Sequence, residues 1–155
     1  MQLRDLLNQR GLPVPSNIGD RDVDFKLSFH LSDDNNKYSV IDLYRLSLFE
    51  LWQSYQRANN FSKSYVMAFI TDGRQSYFVG VWRVRGQASS RNFALPDGLP
   101  AYCYDWPTRY RIRYDLEKVS GFEDLELKVA VESPKGQQRH RYFMNLEIAM
   151  VNDIK

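Results

Sequence analysis

The chain has 155 residues, of which 43% are hydrophobic, 26% charged and 14% aromatic, and its formal net charge is only +2. The length is that of one domain, so residues 1–155 are expected to form a single unit, and the aromatic share is too high for a disordered tail. No apolar run approaches the ~18 residues of a membrane span, no segment has a signal-peptide pattern, and Cys103 is the only cysteine. These features predict a reduced, cytoplasmic protein without a membrane partner.

Three elements are predicted in the first third of the chain. Leu3–Gln9 has the pattern of a short helix that ends at Gly11. Residues 24–31 alternate between apolar and polar side chains, which is typical of a half-buried strand. Ser47 and Glu50 form a capping-box pattern, which predicts the start of a second helix that ends near residue 58. The chain is therefore predicted to be mainly helical to about residue 60.

The segment from 61 to 151 is predicted to be rich in β-structure. Two apolar segments, Tyr65–Ile70 and Ser76–Val84, flank an Asp-Gly pair and predict a hairpin. Gly80 lies inside the second segment, where a glycine indicates a bend or the close approach of another group. A long loop is expected over 87–107, because Gly, Pro and Ser recur there.

Two later segments, 109–115 and 125–132, alternate strictly and predict two further strands. Paired as an antiparallel hairpin, they would place Asp115 opposite Lys128, and opposite charges across a strand pair are mildly stabilising. Together these elements predict an α+β domain. Its sheet is expected to be strongly bent and antiparallel, or closed into a small β-barrel over 61–151, with two or three helices packed on it.

The small net charge conceals an uneven distribution. Residues 74–113 contain seven arginines and two acidic residues, a net charge of +5, whereas residues 14–50 have a net charge of −3. Arginine suits phosphates, carboxylates and aromatic faces. Two interpretations stay open: a face for an anionic partner, or a solvated face of salt bridges in which Arg111 pairs with Glu132 across the predicted hairpin.

Aromatic side chains adjoin the arginines. Tyr102, Tyr104 and Trp106 alternate in the predicted loop and would project the same way if that segment is extended. Such rings suit the stacking of a base, and the equally weighted alternative is a loop that folds over the end of the sheet and closes its core. Trp82 lies in the predicted central strand, and the main alternative to base stacking for this residue is an ordinary core position.

Arginines beside aromatic rings suit nucleic-acid binding, because cations neutralise phosphates while rings stack on bases. On this hypothesis four arginines contact phosphates: Arg83, Arg85, Arg109 and Arg113. The rings that stack on a base or enclose it are Trp82, Tyr102, Tyr104 and Trp106. Asp105 is a candidate for the polar group that reads the base edge, and Asn92 is another.

Catalytic chemistry has no recognisable pattern in the chain. His30 and His140 are the only histidines, and with the single cysteine they cannot supply a metal quartet. Neither a glycine-rich phosphate loop nor a nucleophile elbow occurs. We therefore predict no catalytic residues, no metal site and no cofactor, and the absence of such motifs lowers the expectation of an enzyme.

Eight short segments occur in a distinctive order: Ile41–Arg45, Phe49-Glu50, Tyr55-Gln56, Tyr65–Ile70, Phe78–Val84, Gly121–Leu125, Arg141–Phe143 and Glu147-Ile148. This order resembles the N-terminal accessory domain of bacterial GIY-YIG nuclease-family proteins over residues 26–151. The chain departs from that pattern at Ser133, where a tryptophan is expected, and at Lys155, where such proteins would continue into the nuclease. The strand Phe78–Val84 is also similar, more weakly, to the pseudo-barrels of the PUA-like superfamily, several members of which read modified bases.

The resemblance implies a non-catalytic domain that binds or targets DNA for a restriction-type nuclease, with a modified base as one candidate ligand. Nuclease activity would then reside in a C-terminal GIY-YIG module outside this chain. The implied partners are DNA and a nuclease domain, either fused or separate. The alternative function is a protein-interaction or regulatory module that docks a nuclease domain, since aromatic patches also suit protein interfaces.

Overall fold

A computed structural model describes residues 1–12, 25–31, 44–45, 47, 49, 55–56, 64–89, 112–132 and 146–151. The helical elements with described bounds are the α-helix α1, Leu3–Gln9, and a 3-10 helix, Glu123–Leu125. The strands are β1 (Phe25–Leu31), β2 (Tyr55–Gln56), β3 (Tyr65–Asp72), β4 (Gln75–Ser89), β5 (Ile112–Lys118), β6 (Val129–Glu132) and β7 (Ala149–Met150). The predictions of α1 and of a strand at β1 are confirmed.

The strands form one mixed sheet. Five of them follow the order β1-β3-β4-β5-β2, while β6 pairs with β4 and β7 pairs with β6. The β1–β3 pair is parallel, and the other pairs are antiparallel. The α+β class is confirmed, but the sheet is not closed into a barrel, because β1 and β2 end the order without pairing with each other. The prediction of an antiparallel sheet is also wrong, because β1 pairs with β3 in parallel.

The predicted hairpin is formed by β3 and β4. Its two-residue loop is Gly73-Arg74, and Gly73 has φ of +65°, as expected for the first central position of a type II′ turn. Directly beside the loop, the buried hydroxyls of Thr71 and Ser76 lie 2.8 Å apart and satisfy each other. The position of this hairpin, predicted from the Asp-Gly pair in the sequence, is therefore confirmed.

One edge of β4 serves two partners. Residues Gln75–Tyr77 pair with β6, and residues Trp82–Ser89 pair with β5. The segment 119–128 connects the two partners and stays attached to β4 at both ends. The N–H groups of Val119 and Leu127 donate to β4 carbonyls at 2.8 Å and 2.7 Å. β5 and β6 thus form one interrupted strand along β4.

The predicted hairpin between β5 and β6 is therefore wrong. Asp115 lies opposite Gly86 instead of Lys128, and Glu132 lies opposite Gln75. Strict alternation identifies both segments as strands but does not determine their partner. The fifteen residues of β4 provide one continuous edge along which both segments pair.

A β-bulge changes the phase of β4 in its middle. The register against β3 passes from Phe78 to Gly80, which leaves Val79 as the extra residue. As a result, Phe78 and Val81 belong to the core on one face of the sheet, whereas Val79 and Trp82 belong to the core on the other face. Of the two possibilities predicted for Gly80, the close approach is confirmed, because a Cβ there would lie 2.8 Å from the Trp82 ring. The bulge at Val79 brings Trp82 to the face opposite α1.

The main core fills the space between α1 and one face of the sheet. Its buried members are Leu3, Leu6, Leu7, Leu27, Phe29, Met67, Phe69, Phe78, Val81, Phe122, Leu125, Val129 and Val131. The three leucines of α1 recur at helical spacing and form a single apolar stripe. Because full burial of a side chain of this size stabilises the fold by roughly 1.5–3 kcal/mol, this core fixes the helix on the sheet.

A smaller core lies on the opposite face. It contains Phe49, Ala68, Ile70, Val79 and Trp82, with Tyr44, Leu116 and Leu127 packed against it. β3 and the middle of β4 are therefore buried on both faces, which explains the continuous apolar sequences Val66–Ile70 and Phe78–Trp82.

The second predicted helix differs from the structure. Tyr44 and Phe49 have helical backbone, so helical structure begins before Ser47. Ser47 has φ of +61°, and its N–H donates to the Tyr44 carbonyl at 3.0 Å, which is a turn and not the extended N-cap of a capping box. The predicted end near residue 58 is wrong, because Tyr55–Gln56 forms β2. Pairing of β2 with β5 overrides the helical spacing of the sequence.

A bidentate ion pair ties the end of α1 to the 3-10 helix. Nη1 and Nη2 of Arg10 donate to Oδ1 and Oδ2 of Asp124 at 2.8 Å and 3.0 Å, and Nη1 also donates to the Gly121 carbonyl at 3.1 Å. These side-chain hydrogen bonds from Arg10 hold the pKa of the Asp124 carboxyl below its ordinary value.

We expect Asp124→Asn to lower the melting temperature slightly at neutral pH, and this difference from the wild type should disappear in acid. A carboxyl whose pKa is depressed in the folded state stabilises the fold above its unfolded-state pKa and loses this effect as the pH falls through the folded-state pKa. Thermal melts followed by circular dichroism, from neutral pH to below the folded-state pKa of Asp124, measure the effect. Glu132→Gln makes the same charge change at an exposed residue of β6 and is the control. A pH-independent difference would contradict the expectation.

Candidate functional site

Only part of the predicted nucleic-acid site falls among the described residues. Five of its members lie outside them: Tyr102, Tyr104, Asp105, Trp106 and Arg109. The backbone of Arg113 lies on β5, opposite Ala88 of β4, and its side chain is not among those described. Trp82, Arg83 and Arg85 lie on β4. The structure therefore brings three of the nine residues together on one strand.

Arg83 lies between an aromatic ring and a carboxylate. It is opposite Tyr65 on β3 and opposite Glu117 on β5. Its guanidinium carbon is 5.7 Å from the centroid of the Tyr65 ring, which is cation–π range. Its Nη1 donates to Glu117 Oε1 at 3.5 Å. The register of the sheet thus gives Arg83 a partner on each neighbouring strand.

Arg85 is the extra residue of a second β-bulge in β4. Its Nη1 donates to Glu117 Oε2 at 2.9 Å, and its Nη2 donates to Asp115 Oδ1 at 3.3 Å. Arg83, Arg85 and these two acidic residues are all about half exposed. The four side chains therefore form a surface cluster without net charge. For Arg83 and Arg85 the structure therefore supports the second interpretation, a solvated face of salt bridges. Their partners lie on β5 and were not predicted from the sequence.

Trp82 is buried between the ring of Phe49 and the side chain of Lys118. The residue is 2% exposed, so it does not offer a ring to bulk solvent. Phe49 packs against it with 5.7 Å between ring centroids. Lys118 lies directly opposite on β5, and its Nζ is 5.8 Å from the indole centroid. Trp82 thus occupies a core position, which was the alternative to base stacking in the sequence analysis. This position also borders a pocket.

The pocket has a volume of about 380 Å³ and is called the Trp82 pocket below. Its lining consists of Tyr44, Arg45, Ser47, Phe49, Val79, Trp82, Lys118 and Glu126. The volume lies within the range of roughly 300–1,000 Å³ that is usual for small-molecule sites. Apolar and aromatic groups form one part of the wall and charged groups another, which is also the usual composition of a ligand site.

Glu126 organises the polar part of the lining. Its Oε2 accepts a hydrogen bond from the Tyr44 hydroxyl at 3.1 Å, and its Oε1 is in ion-pair contact with Lys118 Nζ. Only 16% of the Glu126 side chain is exposed, so the carboxylate is largely withdrawn from water. None of these three residues was a predicted site residue, because they come from separate segments of the sequence.

Two buried polar atoms on this lining make no hydrogen bond within the described part of the chain. They are the indole Nε1 of Trp82 and Oε1 of Glu126. Trp82 Nε1 has no partner of any kind there, whereas Glu126 Oε1 has the Lys118 charge beside it without hydrogen-bond geometry. Buried polar groups normally find a hydrogen-bond partner, so each exception needs an explanation.

The backbone next to Glu126 is strained. Leu127 has φ of +60°, a conformation that side-chain-bearing residues seldom adopt. Its N–H nevertheless donates to the Phe78 carbonyl at 2.7 Å, which holds the segment against β4. Strain of this kind persists only where the surrounding structure fixes it, and it is frequent at functional sites.

Two further findings bear on the class of site. Among the residues with described positions, no three His, Cys, Asp or Glu side chains come close enough to hold a metal ion. No helix in the described ranges has the length and apolar character required to cross a membrane.

No protein-family model, no curated protein and no solved structure matches the chain. The resemblance to accessory domains of GIY-YIG nuclease-family proteins and to PUA-like barrels therefore stays a prediction. The Trp82 pocket and the charged cluster of Arg83, Arg85, Asp115 and Glu117 are the candidate functional features of the described residues.

Proposed function

We propose that the chain is a non-catalytic nucleic-acid-binding domain that receives one base in the Trp82 pocket. The observation that carries this proposal is the indole of Trp82, a lining residue of a pocket of about 380 Å³, whose buried N–H has no hydrogen-bond partner among the described residues. Capture of a base requires apolar and aromatic faces that contact the ring and polar groups that read its edge. Trp82 and Phe49 supply the first, and Glu126 and Lys118 supply the second.

The charge of the lining supports an anionic partner. Among the lining residues that the structure describes, Arg45 and Lys118 carry a positive charge and Glu126 carries a negative charge. A base that enters from a nucleic acid brings its phosphates to the mouth of the pocket, where cations position them. The predicted loop residues are candidates for the outer part of the same site: Tyr102, Tyr104, Asp105 and Trp106, with Arg109 and Arg113 as phosphate contacts. A modified base in DNA and an associated nuclease domain remain part of the proposal.

Salt-dependent DNA binding tests the proposal. Fluorescence anisotropy with single-stranded DNA and with plain and methylated duplexes, over a series of salt concentrations, gives the affinity and its salt slope. Each phosphate contact should contribute about −0.9 to the slope on duplex DNA and about −0.7 on single strands. The absence of binding to every probe at low salt would refute the function.

Glu117→Gln tests whether Arg83 and Arg85 take part. In the wild type both arginines bond this one carboxylate, so its neutralisation is expected to strengthen DNA binding and to steepen the salt slope by up to about one unit per arginine released. The free energy of unfolding should fall by less than about 1 kcal/mol, because all these ion pairs are exposed.

Glu132→Gln provides the matched control, since it removes one exposed negative charge from β6, away from these arginines. An equal gain in both variants would indicate only a general charge effect. An unchanged affinity in Glu117→Gln would remove Arg83 and Arg85 from the interface.

A protein-docking module that binds a nuclease domain is the second candidate. The observation that favours it is the neutral cluster on β4 and β5, in which Asp115 and Glu117 already engage the arginines. Half-exposed ion pairs beside an aromatic ring are common at the rims of protein interfaces. The salt-dependent DNA-binding assay separates the two functions, because a docking module without phosphate contacts should bind none of the DNA probes at low salt.

A further inference from the structure

The segment that carries Glu126 ends in a type II β-turn formed by residues 125–128. The Lys128 N–H donates to the Leu125 carbonyl at 3.0 Å, and Glu126, the first central residue, has φ of −61° and ψ of 126°. Leu127, the second central residue, has φ of +60°. The second central position of a type II turn normally holds glycine or asparagine, because φ is positive there. A leucine at this position is therefore maintained against its own conformational preference.

Two contacts hold Leu127 in this conformation. Its N–H donates to the Phe78 carbonyl of β4 at 2.7 Å, and its side chain packs against the smaller core that contains Trp82. Leu125, two residues earlier, is buried in the main core on the other face of the sheet. Residues two apart in an extended strand would lie on the same face. The turn therefore separates the two leucines and anchors the segment in both cores.

The turn type also determines where Glu126 lies. A type I turn has negative φ at both central residues, and it differs from a type II turn mainly in the orientation of the central peptide. In a type I turn the Glu126 carbonyl, instead of the Leu127 N–H, would face the Phe78 carbonyl, which would then lose its donor. The segment would separate from β4, and Glu126 would lose its contacts with the Tyr44 hydroxyl and Lys118 Nζ.

We propose that Leu127 is a positioning residue of the Trp82 pocket. Its left-handed backbone keeps Glu126 on the pocket lining, in contact with Lys118, and its side chain contributes less to this role than its backbone. The consequence for nucleic-acid binding rests on the proposed function, whereas the positioning itself does not. A residue that acts only by packing is replaced best by another apolar side chain, but one that acts through a positive φ is replaced best by glycine.

A double-mutant cycle with Lys118→Met and Glu126→Gln, measured by unfolding in urea, tests this distinction. In the wild type the coupling between the two changes should alter the unfolding constant about 5-fold. Leu127→Gly accepts a positive φ, so the cycle in this background should retain the coupling. Leu127→Val keeps an apolar side chain, but it is β-branched and avoids a positive φ, so the coupling should fall below about 2-fold.

Leu116→Val is the matched control. Leu116 packs against the same core from β5 and has no positive φ, so the same change of side chain should leave the coupling at its wild-type value. Coupling that survives in Leu127→Val overturns the inference, as does its loss in Leu127→Gly or its absence from the wild type. Should Leu127→Val fail to fold, the Leu127→Gly cycle still decides, because retention supports the inference and loss overturns it.

DNA binding by the same variants separates this inference from the proposed function. With single-stranded DNA in the anisotropy assay, Leu127→Val should bind about 5-fold more weakly than Leu127→Gly, and Leu116→Val should stay within about 2-fold of the wild type. Absence of binding by the wild type refutes the nucleic-acid function, while the cycle decides the role of Leu127. Equal affinity in all variants, with the expected coupling pattern, removes the ion pair from the DNA site and supports the positioning role.

Discussion

Replacement of Phe69 by alanine is expected to lower the free energy of unfolding by about 3–5 kcal/mol. Phe69 is fully buried on β3, in the core between α1 and the sheet. Its ring stacks on Phe29 with 4.9 Å between centroids and meets Phe78 edge-on at 6.1 Å. Truncation removes both aromatic contacts and leaves a cavity whose other walls belong to separate strands and cannot easily collapse.

Equilibrium unfolding in urea, followed by circular dichroism, measures this loss. Met150→Ala is the matched control, because this β7 side chain is 67% exposed and its removal should change the stability by no more than about 0.5 kcal/mol. The denaturant slope should stay constant, since the truncation affects the folded core and not the extent of unfolding. A loss below about 1 kcal/mol for Phe69→Ala would be incompatible with the packing described above.

Gly80→Ala is expected to cost about 2–4 kcal/mol, from backbone strain and a steric clash together. Gly80 has φ of +151°, which residues with a side chain rarely adopt. A Cβ at this position would lie 2.8 Å from Cη2 and 3.0 Å from Cζ3 of Trp82. The indole has little freedom to move aside, because Phe49 packs against it and Lys118 lies over it.

Gly86→Ala is the control for Gly80→Ala on the same strand. An alanine Cβ at Gly86 would meet no atom within 4 Å, and its backbone needs no positive φ, so the change should be neutral or slightly stabilising. Gly80→Ala should also displace the Trp82 indole and thereby weaken binding at the pocket, whereas Gly86→Ala should not. Thermal melts and the DNA-binding anisotropy assay measure the two effects. Equal stability of both variants would contradict the close approach of Gly80 to Trp82.

Local patterns in the sequence predict the local elements well. The leucine stripe of α1, the alternation of β1 and the Asp-Gly turn between β3 and β4 each depend on residues close together in the chain. Gly80 is a further case, since a glycine in an apolar strand already indicates that a side chain would not fit there.

Long-range pairing could not be predicted in the same way. Alternation shows that β5 is a strand, but nothing in it shows that β5 pairs with the second half of β4. The parallel contact of β1 with β3 depends on a crossover of residues 32–64, whose course no local pattern specifies. The charge count likewise reveals an arginine-rich segment but not its partners, because Glu117 meets Arg83 only through the register of β4 and β5.

The Trp82 pocket was foreseen only in part for the same reason. Trp82 was a candidate because of its residue type, but Lys118 and Glu126 have no feature in the sequence that separates them from other charged residues. Lys118 reaches the indole because it is directly opposite Trp82 in the register, and Glu126 reaches Lys118 because the connecting segment returns to β4. The site is thus a product of tertiary structure.

The connecting segment 119–128 gives this pocket its preorganisation. Lys118 immediately precedes the segment and Glu126 lies near its end, and hydrogen bonds from Val119 and Leu127 to β4 hold the backbone beside each of them. The ion pair between the two charged groups is therefore assembled before any ligand arrives. Binding at such a site loses little conformational entropy, so the affinity of a ligand depends chiefly on how well its edge matches groups already in place.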